Sequence, residues 1–240
     1  MGTPRIPPEF RFTDKILKDL SIASLDNAEQ LIREAKILLG QNLLPRAYFL
    51  SIAAIEETGK AYLCFESATR NLSDSAVTSK IVKSIESHSS KINAAFHTSV
   101  LTSEDPSGAI ETAVDLMLAL KNGREPSMYT DINYIDSKIY VPNSVIREVA
   151  AKDAVRLAEH CYLTTHHYSS NFEPTEKSKV DDIVFGLKTK TFNKILGNED
   201  FWWYLIDNHE NNQINQSEII NSYHKEYFSK NKLFKASSAE

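Results

Sequence analysis

The sequence predicts an all-α fold: an antiparallel bundle of about five helices with a small helical C-terminal appendage. Three observations lead there. Gly and Pro are scarce, at 7 and 8 residues in 240, while Leu, Ile, Ala, Glu and Lys are plentiful. Long stretches repeat apolar residues at spacings of three and four, the period of a helix that buries one face. Residues 43–65, LLPRAYFLSIAAIEETGKAYLCF, are apolar on nearly all sides, as befits a helix at the centre of a core.

Taken in order, Thr13 and Asp14 offer an N-cap for a long first helix. Its buried stripe is marked by Leu17, Leu20, Ser24, Ala28, Leu31, Ala35 and Leu38, and Gly40 suits its stop. The central helix spans about residues 44–69. A third begins near Ser73 and Asp74 and carries Ile81, Ile85, His88, Ile92 and Ala95 on one stripe, so His88 takes a core-facing, aliphatic position. A loop over residues 103–108 precedes a short apolar helix over residues 109–120, ended by Asn122 and Gly123, with Arg124 directly after the stop. The tyrosine-rich stretch that follows, SMYTDINYIDSKIYVP, reads as a loop or a short hairpin. Pro142, Asn143 and Ser144 start a fifth helix that runs to about His166. The organisation is a bundle over residues 13–168, a polar linker over 169–179 and a small helical extension over 180–240, rich in aromatics and asparagine.

Composition excludes several classes. With 42% hydrophobic and 25% charged residues the chain is globular, and its net charge of −5 argues against a broad nucleic-acid surface while permitting a small basic pocket. Its two cysteines, Cys64 and Cys161, fall among apolar neighbours and read as buried free thiols. The N-terminal residues lack the layout of a signal peptide, and no apolar run of membrane-spanning length is free of charge, so a soluble, cytoplasmic protein without membrane attachment is expected. No His-Glu-x-x-His, Cys-x-x-Cys, Glu-x-x-His or Gly-rich phosphate loop occurs, so no metal and no cofactor are expected.

What stands out is a polar set on otherwise apolar helices. Glu56, Glu57 and Lys60 interrupt the central helix, with Lys60 within a turn of both carboxylates. Charges inside a core need partners. His88 and Lys91 share a face of the third helix, Arg124 follows the fourth, and Tyr129 and Asp131 lie just beyond. Neighbouring antiparallel helices would bring these groups together. Such a set suits metal-free phosphodiester cleavage, with His88 as general acid or base and Arg124, Lys60 and Lys91 stabilising charge on phosphorus. The bland readings are a satisfied core histidine and, for Glu56, Glu57 and Lys60, an internal ion-pair lock.

The segment RAYFLSIAAIEETGKAYL resembles the signature of the abortive-infection protein AbiV family, a branch of the HEPN superfamily. SHSSKI resembles the family's His-x-x-Lys block, and GREPSMYTDI its Arg-Glu block followed by Tyr-x-Asp. The resemblance spans roughly residues 14–167. It implies a HEPN-like bundle, homodimeric, in a bacterial antiphage system that halts growth or translation. It further implies a metal-independent ribonuclease with RNA as substrate and a phage-encoded activator protein as partner. One departure matters: HEPN nucleases carry an Arg followed after four to six residues by His, and this chain has no such pair. Arg156 and His160 have only three residues between them.

The resulting expectation assigns catalysis to His88, Arg124, Lys60, Lys91 and Glu57, with Glu57 orienting Lys60. Glu56, Tyr129 and Asp131 complete the substrate-binding rim. A non-catalytic dimeric helical protein that binds a phage or host factor and blocks translation is the alternative, in which the aromatic tail Phe201, Trp202, Trp203 and Tyr204 would matter more. A small-nucleotide sensor using the same basic pocket is a third reading.

Overall fold

The computed structural model describes residue 7 and residues 10–134, 137–211 and 215–234; parts of the tyrosine-rich stretch (135–136) and of the C-terminal extension (212–214 and 235–240) lie outside the described residues. The described residues are helical apart from one small hairpin. They form two compact units, one made of residues up to Ala68 with Ile81–Pro174, the other of Thr69–Lys80 with the residues from Thr175 on.

In the first unit the helices are α1 (Asp14–Gly40), α2 (Leu44–Ser67), the C-terminal part of α3 (Ser75–Glu86), α4 (His88–Ala95), α5 (His97–Leu101), α6 (Pro106–Met128), α7 (Pro142–Val145) and α8 (Glu148–Asn171). α2 is central and packs against α1, α4, α6 and α8. Its apolar circumference explains why: Ile52, Ala54, Ile55, Ala61 and Cys64 are all fully buried. Ile92 and Ala95 of α4, Leu120 of α6 and Ala154, Ala158 and Cys161 of α8 complete the same core. Thr13 caps α1 by accepting the Ile16 N–H at 3.2 Å.

α1 ends at Gly40, the stop that the sequence suggests; just beyond it Asn42 takes the left-handed conformation (φ 60°) while the Leu43 N–H closes onto the Leu38 carbonyl. Three local features differ from the sequence reading. The third helix is two: Ser87 breaks it, and its side chain accepts the Ser90 N–H to cap α4. Ile81, Ile85, Ile92 and Ala95 stay buried, but His88 opens the new helix and its side chain is 53% exposed, not core-facing. α6 does not stop at Gly123; it continues through Arg124 to Met128. Gly123 answers packing instead, since a Cβ there would lie 2.2 Å from the Tyr48 hydroxyl on α2. Finally, the fifth helix is interrupted after one turn, where Ile146 leaves helical geometry and is buried in the core.

The tyrosine-rich stretch is a hairpin, β1 (Asp131–Asn133) against β2 (Lys138–Tyr140), antiparallel with Ile132 opposite Ile139. The left-handed Ser137 (φ 56°) lies just before β2.

The second unit holds the N-terminal part of α3 with α9 (Lys179–Gly186), α10 (Thr189–Leu196), α11 (Glu199–Asn211), α12 (Gln216–Glu226) and a 3-10 turn over Phe228–Lys230. Its small core is aromatic, built on Phe201, Tyr204, Tyr223, Ile195 and Ile219. Buried Asp200 ties it together by accepting from the Tyr223 hydroxyl at 3.0 Å and the Phe234 N–H at 2.8 Å. Of the aromatic run, Phe201 and Tyr204 are buried while Trp202 and Trp203 are exposed.

Candidate functional site around Glu56

A carboxylate on a helix buried on all sides must be met by donors from its neighbours. Glu56 is 6% exposed, and three side chains from two other helices reach it. His88 Nδ1 lies 2.7 Å and Lys91 Nζ 2.9 Å from Oε2, both from α4, while Arg124 Nε donates to Oε1 at 2.9 Å from α6. Arg124 also contacts Glu125 through Nη1 and lies 5.9 Å from the Phe49 ring centre.

Two glycines let these helices come close enough. A Cβ on Gly59 would fall 1.8 Å from the Lys91 carbonyl oxygen, so α4 crosses α2 with backbone against backbone. Gly59 stands one turn beyond Glu56 on the same face, so the crossing places the first turn of α4 over the carboxylate. Gly123 does the same for α6 beneath Tyr48, one residue before Arg124. Lys121 adds a bond from α6 to Asn93 of α4 at 2.7 Å.

Burial alone would raise the Glu56 pKa. The hydrogen bonds and charges of Lys91 and His88 outweigh it and hold the carboxyl below its ordinary range. Glu56 is therefore ionised near neutral pH and can only accept, which puts a proton on His88 Nδ1. The ring's other nitrogen, Nε2, belongs to a side chain that is half exposed. Lys91 is nearly buried, its side chain 11% exposed, and Arg124 is 21% exposed.

The structure thus brings Glu56, His88, Lys91 and Arg124 together. Glu57 and Lys60 form a separate pair at 2.7 Å, one turn apart on α2, and no described bond joins them to Glu56. Tyr129 sits at the end of α6 with its side chain exposed, and Asp131 is exposed and accepts its neighbour Ile132's N–H at 2.7 Å. Neither touches the Glu56 cluster among the described contacts. Sequence reasoning passed over Gly59 and the break at Ser87, and took Gly123 for a helix stop. A glycine inside an otherwise strong helical run is the signal for the first.

Among the described residues no group of three or more His, Cys, Asp or Glu is placed to hold a metal ion, and no helix is long and apolar enough to cross a membrane. Neither curated proteins nor solved structures give a match to the chain. A family model described as AbiV, of the HEPN class, matches residues 16–163, more than half of the chain and all three helices, α2, α4 and α6, that build the Glu56 cluster. The chain therefore belongs to the AbiV family of HEPN-type abortive-infection proteins.

Proposed function

We propose that this abortive-infection protein is a metal-independent ribonuclease that arrests growth or translation, with the Glu56 cluster as its active site. What supports this is the buried Glu56 carboxylate holding His88 by Nδ1 while the ring stays half exposed. A carboxylate that fixes the tautomer of an accessible imidazole is the arrangement general acid–base chemistry requires. Nε2 takes the proton of a ribose 2′-hydroxyl as its oxygen attacks phosphorus, and a protonated imidazole supplies the proton to the departing 5′-oxygen. Arg124 has five N–H donors and Lys91 three, so each keeps donors for phosphate oxygens after serving Glu56. A homodimer and a phage-encoded activator, which the family resemblance implies, belong to the same proposal.

A second reading has its own support. Glu56 is satisfied by three donors, and Lys91 is almost buried, which also describes a structural lock in a protein that binds a phage or host factor without chemistry. Incubating the purified chain with total RNA in EDTA, wild type beside His88→Ala, separates the two. RNA fragmentation by the wild type and its loss in a folded His88→Ala protein supports the nuclease. Intact RNA with both proteins, while both still arrest growth, leaves the lock.

A further inference from the structure

The first unit carries a groove of about 420 Å³ lined by α2, α6 and α8. Its size suits a small ligand, about 300–1,000 Å³. Leu116 and Leu120 of α6 and Ala150, Ala154 and Leu157 of α8 form apolar walls, and Tyr48 of α2 lies among them. Neither Glu56 nor any of its three partners lines this groove.

Tyr48 distinguishes the groove from an ordinary apolar surface. It is only 7% exposed, and its hydroxyl, against Gly123 of α6, has no hydrogen-bond partner among the described residues. A buried hydroxyl is ordinarily bonded, because leaving water without a partner costs free energy. The buried Tyr223 of the second unit shows that ordinary case, its hydroxyl donating to Asp200 at 3.0 Å. Burial holds the Tyr48 pKa above its usual value, so the hydroxyl keeps its proton and is a donor.

The mouth of the groove decides the charge of what enters. Arg156 and Asp153 stand there with side chains 79% and 61% exposed, paired with each other at 3.6 Å, so their charges balance. His160 is exposed beside them. An ion brought inside would exchange water for leucine and alanine walls with one neutral donor, which burial penalises. A hydrocarbon would fill the walls and seal the Tyr48 hydroxyl without a partner. We propose that this groove binds a small, uncharged, largely apolar molecule through one carbonyl oxygen, which accepts the hydrogen bond of the Tyr48 hydroxyl while the hydrocarbon body lies between α6 and α8.

Ligand-detected NMR titration of the full chain tests this with benzylacetone, butylbenzene and hydrocinnamate, three molecules of one skeleton that carry a ketone, no oxygen and a carboxylate. Saturable binding of the ketone is expected, with the carboxylate at least about tenfold weaker. Tyr48→Phe removes a hydroxyl that holds no native bond, so the melting temperature should not fall. It should weaken ketone binding about fivefold and leave butylbenzene binding undiminished. Ala119→Phe, at an exposed position of the groove wall, should block both molecules in a folded protein. The proposal is overturned if the ketone does not saturate at millimolar concentration, if the carboxylate binds as tightly, or if folded Tyr48→Phe keeps wild-type ketone affinity. A dimer of the full chain that Ala119→Phe dissociates, with no ketone binding to wild type, overturns it too and gives the groove to a second copy. His88→Ala should bind the ketone as wild type does, so failure here and failure of the nuclease reading are distinguishable.

Discussion

Gly59 on α2 lies directly beneath the backbone of Lys91 on α4, so that a Cβ at position 59 would meet the Lys91 carbonyl oxygen at 1.8 Å and the Ala95 nitrogen at 3.0 Å. Two effects oppose each other in Gly59→Ala. Helix propensity favours alanine by about 1 kcal/mol. The clash is with backbone, which cannot rotate away, and overpacking of this kind costs about 1–3 kcal/mol or more. Net destabilisation is expected, with a lowered melting temperature. α4 would also move off Glu56, so if the cluster cleaves RNA, the folded Gly59→Ala protein should cleave it more slowly than wild type. A Gly59→Ala protein as stable as wild type would show that the α2–α4 crossing is not this close.

Glu56→Ala removes the only carboxylate bonded to Lys91 among the described contacts and one of two bonded to Arg124. Removing one partner of a buried charge set costs about 3–5 kcal/mol, because cations remain with their desolvation uncompensated. Glu57→Ala breaks a single pair at the edge of the helix, its side chains about a fifth exposed, and isolated pairs of this kind contribute about 1 kcal/mol. Chemical denaturation of the two variants is expected to give losses of clearly different size, Glu56→Ala being much the larger. Equal losses would mean that Glu57 shares the burden.

The same carboxylate makes stability depend on pH. Glu56's pKa is lowered in the folded chain, so its contribution is fully present above the ordinary glutamate value of 4.5 and is lost as pH falls through the lower folded value. Melting temperature should therefore drop on acidification below about pH 4.5, and Glu56→Gln should flatten that part of the profile. An unchanged acid limb in a folded Glu56→Gln protein would assign the effect to other carboxylates.

The long helices could be read from the sequence because their apolar period is strong over many turns, and the central place of α2 because it is apolar all round. Its charges stood out for the same reason. Three things were not legible. The rotation of α2 decides which of two adjacent glutamates faces α4 and α6, and that rotation is set by packing at Gly59, Ile52 and Ile55 rather than by local pattern. The break at Ser87 replaces one helix by two with the apolar spacing nearly intact, so periodicity alone continues across it. Asn122 followed by Gly123 looks like a stop, yet Gly123 marks the close approach of Tyr48. Local rules give way to tertiary contact at the positions that assemble the Glu56 cluster.

Burial pushes both the Cys64 and the Cys161 thiols up to about 12. The thiolate is the reactive form, so neither should be modified by a disulfide reagent in the native chain at pH 8. Both should react promptly after denaturation. Fast labelling of one thiol in the native state would mean that its helix opens locally.

The three lysine and arginine positions proposed for phosphate can be ranked by their geometry. Lys91 and Arg124 share the carboxylate that holds His88, whereas Lys60 pairs with Glu57. If cleavage occurs at His88, loss of a donor close to the reacting phosphate slows it by about 10²–10³-fold, so Lys91→Ala and Arg124→Ala should fall in that range. The loss in Lys60→Ala is expected to be the smallest of the three. Melting curves on each variant separate lost chemistry from lost fold, and Lys91→Arg, which keeps a cation near Glu56, should recover part of the rate. A Lys60→Ala loss as large as that of Lys91→Ala would move the centre of the site from Glu56 to the Glu57–Lys60 pair.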